Sequence, residues 1–393
     1  MLPTKENCCG CGACANSCSK NAIKMTVGSD GFLYPLIDTA LCVECGKCEK
    51  SCPFLSDVKQ SDLSTPKAYI VQNKNKEILK QSTSGGAFTA IALKTIEQGG
   101  VVFGAAIDEN FKVRHISVTL EDELKKFRNS KYVQSEIGNT YKRAEECLKD
   151  GKRVCFSGTP CQISGLYRYL GKEYDNLITV DVVCRSVPSP MVLEKYVSYQ
   201  KAKYPQMKKL VFRDKAKGYS YSNVAIYGEN GSCLYRGGSE YDPWLRLFLG
   251  EYCSRISCYD CKYQTPIRPA DFTIWDCWDA HSLAPALDNN KGASYLVARS
   301  QKALRMDLFS YLDAVEIEWG LVEDKLKRHS SVPKENRDKF FSDCKEMSAD
   351  EFIKKYAPIT FKIKLKKTVR NIMLKLHFHN AMRRLVHKIR NFK

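Results

Sequence analysis

Residues 153–170 read "RVCFSGTPCQISGLYRYL". Arg153 to Phe156 has the character of a strand, Ser157-Gly158-Thr159-Pro160 is a turn, and Cys161 to Leu170 reads as a helix. Proline suits the first helical turn because no N–H is needed there. A cysteine at that end has its thiolate favoured by the helix dipole, so Cys161 reads as a nucleophile or a metal ligand rather than an inert core thiol. Outward from this unit, Leu177 to Val183 is a second strand ending at Cys184 ahead of Pro188-Ser189-Pro190. Cys258-Tyr259-Asp260-Cys261 forms a C-x2-C loop, trailed by Arg268-Pro269-Ala270-Asp271. Two thiols at strand ends and two on one tight loop are how a four-thiolate site is assembled, although spacing alone does not bring them together. Upstream, Ala68 to Gln72 and the pair "VVFGAAI" and "VRHISVT" read as strands, and Ala87 to Gln98 has helical spacing through Phe88, Ile91, Ala92 and Ile96. The pattern is α+β.

The chain has 393 residues, 44% of them apolar, enough for an ordinary core and two or three domains. No apolar run approaches the roughly 18 to 20 residues of a membrane span. The start, Met1-Leu2-Pro3-Thr4-Lys5-Glu6, lacks the basic-then-apolar layout of a signal peptide, so the expected location is the cytoplasm. Nineteen cysteines in a reducing compartment are expected to bind metal or carry redox chemistry, not to form a disulfide framework. The net charge is +18, but residues 359–393 hold eleven Lys or Arg and no Asp or Glu, which leaves +7 for the rest.

Cys8, Cys11, Cys14 and Cys18 follow C-x2-C-x2-C-x3-C, and Cys42, Cys45, Cys48 and Cys52 repeat it, with Pro53 next. Such a doubled run is the signature of a bacterial two-[4Fe–4S] ferredoxin. Structural zinc, the competing use of C-x2-C pairs, closes on four ligands and does not call for two identical quartets. Three thiolates of a loop wrap one cubane while the fourth reaches the other, so ligation is expected to cross. One cluster takes Cys8, Cys11, Cys14 and Cys52, the other Cys42, Cys45, Cys48 and Cys18. Gly10, Gly12 and Gly46 suit such tight loops. Cys9 is surplus, and Ser19 stands where ferredoxins often have proline.

The expected layout is a ferredoxin-like module at 1–55, a linker at 56–66, a larger α/β domain at 67–345 and a basic amphipathic tail at 346–393. Ser82-Thr83-Ser84-Gly85-Gly86 opens the helix at Ala87, a place that suits either a phosphate or a plain N-cap. In the tail, Val369, Ile372, Met373, Leu376, Leu385 and Ile389 gather near one helical face among lysines and arginines. That pattern fits contact with a membrane surface, with a protein partner as the rival and an idle tail as the bland alternative. Nucleic acid is not expected, because no recognition motif accompanies the charge. His377 and His379 have no third ligand nearby and read as tail residues.

Several stretches together resemble the coenzyme F420 hydrogenase/dehydrogenase beta-subunit family. They are "STSGGAFTAIA", "GGVVFGAAID" with "FKVRHI", "RNSKYVQSEIG", "FSGTPCQISGL", "DVVC" with "VPSP", and "FRDKAKGY", in order from about Ala68 to Asn336. The resemblance implies a flavoprotein oxidoreductase with FAD beside a further [4Fe–4S] cluster, exchanging electrons with F420 or another organic acceptor. It implies Cys161, Cys184, Cys258 and Cys261 as that cluster's ligands. It also implies Ser84, Gly85, Gly86, Ser130, Lys131, Tyr132, Gly158 and Thr159 as flavin-site positions. Glycines there let backbone approach pyrophosphate, Lys131 offers charge, and Tyr132 offers a ring or hydroxyl. The chain departs from the family's pattern at Arg185-Ser186 and at Trp275 and Asp279, where the family tends to have His-Gly and two glycines. Trp275 would either stack on an isoalloxazine ring or fill the pocket, and Cys277 reads as a small buried thiol.

The expected function is electron passage from the ferredoxin clusters through a third cluster to FAD and an acceptor, with a redox carrier or redox protein as partner. The alternative is an iron–sulfur electron-transfer subunit without flavin, docked on a membrane or protein. The sequence names no general acid or base.

Overall fold

The structure, a computed structural model, describes residues 2–60, 62–221, 223–327 and 335–375. Strands β1 (Ile23–Val27) and β2 (Leu33–Ile37) form an antiparallel pair between the two thiol loops. Then follow β3 (Lys67–Asn73), β4 (Val101–Ile107), β5 (Val113–Val118), β6 (Val154–Gly158) and β7 (Leu177–Val182). After them come β8 (Lys209–Asp214), β9 (Asn223–Tyr227), β10 (Cys233–Gly237), β11 (Phe272–Cys277), β12 (Ala293–Ala298) and β13 (Leu312–Ile317). Eight of these make one sheet in the order β13-β3-β12-β11-β7-β6-β4-β5, and β8 to β10 make a separate antiparallel sheet.

The middle strands β11, β7, β6 and β4 run parallel, and the flanks are antiparallel. Parallel neighbours need crossovers, and the helix Pro160–Leu170 supplies the one between β6 and β7. Such strands are covered on both faces, which is why Val154, Cys155 and Phe156 of β6 and Leu177 to Asp181 of β7 are buried. Strand β6 runs two residues beyond the sequence reading: Ser157 and Gly158 pair with Val180 and Asp181. The helix starts at Pro160 on a capping box, in which Thr159 and Gln162 hold each other's backbone.

The helix Ala87–Glu97 packs on one face of the sheet through Ala87, Ala90, Ile91 and Leu93. The helices Thr140–Lys149 and Pro160–Leu170 cover the other, over Phe103 and Phe156, which stack at 5.4 Å. Burying an aromatic of this size stabilises by roughly 1.5–3 kcal/mol. That second core also contains Cys11 and Ala13, so the N-terminal module is packed into the body. Phe32 extends the contact, lying with Tyr196, Trp244, Phe340 and Phe352 in a core shared with the helices Arg337–Glu346 and Ala349–Tyr356. Buried Asp30 accepts from Arg337 at 3.1 Å beside it.

At the two departures from the family pattern, Trp275 stacks on Tyr295 at 4.7 Å and packs beside a core that includes Ala68 and Ile70. Asp279 accepts from Tyr295 and, at 2.7 Å, from Lys325. Cys277 is buried in the same core. The indole therefore fills this part of the fold. A last helix, Phe361–Lys375, carries Val369, Ile372 and Met373, whereas Leu376, His377, His379, Leu385 and Ile389 lie outside the described residues. Among the described residues no helix is long and apolar enough to cross a membrane.

Candidate functional site

The chain's first three motif cysteines sit on a loop and the short helix Ala13–Ser17, which starts after Gly12 at φ 71°. Gly10 also needs its positive φ, and a Cβ there would lie 2.6 Å from Arg255. Cys8, Cys11, Cys14 and Cys52 are all buried and line one cavity with Pro53 and Phe54. Those are the four thiols that crossed ligation assigns to one cluster. Cys42, Cys45 and Cys48 lie on the outer loop around Gly46, with Cys45 exposed and the other two half-buried. Cys18 accepts from the Ala22 amide at 3.3 Å and borders an open groove with Lys47 and Lys50.

Cys161, Cys184, Cys258 and Cys261 line a second cavity, of about 70 Å3, together with Cys9 and Arg268. The convergence follows from topology. β6 and β7 are adjacent parallel strands, so the residues just past their carboxyl ends emerge side by side, and the loop carrying Cys258 and Cys261 closes over them. The two cavities share Asn7, Cys9, Pro53 and Phe54 as walls. The surplus Cys9 lines both cavities and so borders both thiol sets.

Burial pushes the thiols of Cys8, Cys52, Cys258 and Cys261 up, and that of Cys14 up to about 12. Such thiols ionise at neutral pH only against a cationic centre, as ligands do. Among the described residues no three His, Cys, Asp or Glu side chains close around a point as for a single ion; the thiols ring cavities instead. This donor set, soft and all-sulfur around voids, fits iron–sulfur clusters.

Main-chain and side-chain bonds lock the module to this site. Lys262, next to Cys261, donates to the carbonyls of Pro53 at 2.5 Å and of Ser56. Gln134 donates to Cys9 O at 3.2 Å, and Ser257 to Cys8 O at 3.1 Å. Thr159 lies 3.1 Å from the Cys161 sulfur.

The eight flavin positions fall on three segments: the turn before the helix at Ala87, the loop of Ser130, Lys131 and Tyr132, and the turn at Gly158 and Thr159. Ser130 meets the Ser82–Gly86 turn, its amide donating to Thr83 Oγ1 at 2.7 Å. Further along, Ser135 binds His115 Nδ1 at 2.8 Å, and His115 Nε2 reaches Ser157 O at 2.9 Å, beside Gly158. Much of the polar capacity is used within the protein. Ser84 Oγ and the Gly85 amide both bond Ser294 Oγ. A Cβ on Gly85 would sit 2.3 Å from Val71 O, so that glycine is also required by strand packing. Tyr132 accepts from Arg213 at 2.9 Å, and Arg213 pairs with Asp276. Lys131 donates to Lys126 O and Arg128 O at 2.9 and 3.0 Å, and burial pushes its ammonium down to about 7.

Sequence reasoning had not singled out Arg255, Gln134, Lys262, His115 or Gly165. Only Lys262, beside a C-x2-C cysteine, carried a local signal.

Similarity to known proteins falls in two regions of the chain. Residues 7–55 match the 4Fe-4S dicluster domain profile, and residues 151–322 match the profile for the C terminus of the coenzyme F420 hydrogenase/dehydrogenase beta subunit. An uncharacterized protein of Methanocaldococcus jannaschii is 27% identical over 206 residues, 44% of this chain and 55% of that protein. The same organism's coenzyme F420-dependent sulfite reductase is 30% identical over 161 residues, 40% of this chain and 24% of the reductase. The chain thus spans about half and about a quarter of these relatives. Among solved structures, a chain of the F420-reducing [NiFe] hydrogenase complex from Methanosarcina barkeri has a TM-score of 0.42 at 15% identity, covering 78% of this chain and 95% of its own. The chain thus carries a 4Fe-4S dicluster domain, residues 7–55, ahead of a region, residues 151–322, similar to the C terminus of the coenzyme F420 hydrogenase/dehydrogenase beta subunit.

Proposed function

We propose that the protein passes electrons from its two ferredoxin clusters through a third cluster, held by Cys161, Cys184, Cys258 and Cys261, to FAD and an organic acceptor, F420-like or other. The observation that carries this reading is the second thiol-lined cavity, which shares a wall of Asn7, Cys9, Pro53 and Phe54 with the buried ferredoxin thiols. Clusters supply one-electron transfer, and a flavin beside them supplies the conversion to a two-electron step.

The chain's own residues bind, orient and exclude water. Burial keeps water from Cys8, Cys11, Cys14 and Cys52, while the exposed Cys45 loop leaves the outer set within reach of a redox partner. Lys262, Gln134 and Ser257 fix the module against the loop of Cys258 and Cys261, so that the separation of the sites is set by the fold. For the flavin, Ser130, Lys131 and Tyr132 lie on the loop between the Ser84–Gly86 turn and Gly158-Thr159, next to Cys161. Protonated Lys131 would offer its charge to a phosphate or to a reduced ring.

A second reading, an electron-transfer subunit without flavin, is favoured by the bonds that already occupy Ser84, Gly85, Lys131 and Tyr132. Cofactor release from anaerobically purified full-length protein separates the two. About one flavin per chain supports the enzyme. Full iron content with no flavin assigns the protein to the second reading.

A further inference from the structure

Arg255 is fully buried, at 0% exposure, three residues before Cys258 on the main domain. Its Nε donates to Cys8 O at 2.6 Å and one Nη to Gln134 Oε1 at 2.8 Å. The other Nη donates to Leu33 O at 3.0 Å and reaches the Cys8 sulfur at 3.7 Å. Tyr34 and Phe32 flank the guanidinium at 4.3 and 5.1 Å. Apart from the Cys8 sulfur, every one of these acceptors is neutral. The carboxylate of the same module, Asp30, is held by Arg337 and Lys5 at 3.1 and 3.5 Å. Among the described residues, then, the bonds of Arg255 include none to a carboxylate. A buried cation without a counter-charge is strongly disfavoured. The one anionic group its bonds can reach is a thiolate at Cys8.

We infer that Arg255 is the counter-ion of the buried ferredoxin cluster and raises that cluster's reduction potential. The inference rests on the proposed ligation by Cys8, Cys11, Cys14 and Cys52. Reduction adds an electron to a group already made anionic by its thiolates, so a fixed cation and an N–H aimed at sulfur stabilise the reduced form. Arginine keeps its charge across the accessible pH range, so the effect does not titrate. Because Arg255 belongs to the other domain and sits on the turn that opens into Cys258, this effect exists only while module and domain are docked.

The test is an EPR-monitored redox titration of the full-length holoprotein, with iron content determined in parallel, for the natural chain, Arg255→Gln and Arg255→Lys. The expected result is one ferredoxin-type midpoint shifted downward in Arg255→Gln, a smaller shift in Arg255→Lys, and the remaining midpoints in place at unchanged iron. Unmoved midpoints at unchanged iron overturn the inference, leaving Arg255 as packing. Loss of about four irons from both folded variants also overturns it, in favour of a role in assembly alone. If the natural chain itself shows no pair of ferredoxin-type signals, the ligation reading fails instead, which is a different outcome.

Discussion

Gly165 lies in the helix Pro160–Leu170, where nothing in backbone geometry calls for glycine. A Cβ there would sit 2.9 Å from the Cys11 sulfur and 3.1 Å from the Tyr141 hydroxyl. Gly165→Ala is therefore expected to push the first thiol loop off the helix. It should cost roughly 1–3 kcal/mol in thermal unfolding and lower the iron held by the buried set. Unchanged iron and stability would contradict this packing. His115 gives a test in pH. Burial pushes its imidazole down to about 4, and its bonds to Ser135 and Ser157 O suit the neutral ring. The unfolded chain takes up that proton below about pH 6.5, while the native state resists until about 4. The unfolded state then binds more protons, so stability falls as pH drops through that window, by up to about 3 kcal/mol. His115→Gln should flatten the acid limb of a stability–pH curve. Lys131 titrates near 7, so flavin affinity, if its charge meets a phosphate, should weaken as pH rises through 7.

At the scale of elements, the thiol loops and the strand–turn–helix around Cys161 were legible because their requirements are local: ligand spacing, a capping residue, a proline at the first turn. The meeting of Cys161 with Cys184, Cys258 and Cys261 was implied only by family resemblance, since it depends on β6 and β7 being parallel neighbours. Cys9, Arg255 and Gly165 carried no readable signal. Their roles arise from contacts across the fold, as between Arg255 and Cys8, 247 positions apart. Sequence composition also sets the module behind a linker, whereas the structure buries Cys11 and Ala13 in the main core. The last helix belongs to this scale too. Lys367 lies over Tyr241, and Arg370 pairs with Glu240 at 2.7 Å, holding one face to the body. Phe361, Leu365, Val369 and Ile372 stay exposed on another. Apolar residues beside such basic charge suit an anionic lipid surface. The full chain should sediment with anionic vesicles more than with neutral ones, and a chain ending at residue 360 should not. Equal sedimentation of both chains would sink the idea.

For the whole molecule, the three thiol sets form a series: the exposed loop of Cys45, the buried set of Cys8, Cys11, Cys14 and Cys52, and the half-buried set around the cavity of Cys161. Cys9 stands where the last two meet. On the proposed function this order would carry electrons from the exposed loop through the buried set to that cavity, across a seam fixed by the contacts of Lys262 and Arg255. The central claim is that Cys161, Cys184, Cys258 and Cys261 hold a cluster of their own. Iron and acid-labile sulfide per chain, measured on anaerobically purified full-length protein and on Cys161→Ser, test it most directly. About twelve irons should fall to about eight, with the ferredoxin-type EPR signals intact. About eight irons in both proteins would contradict it.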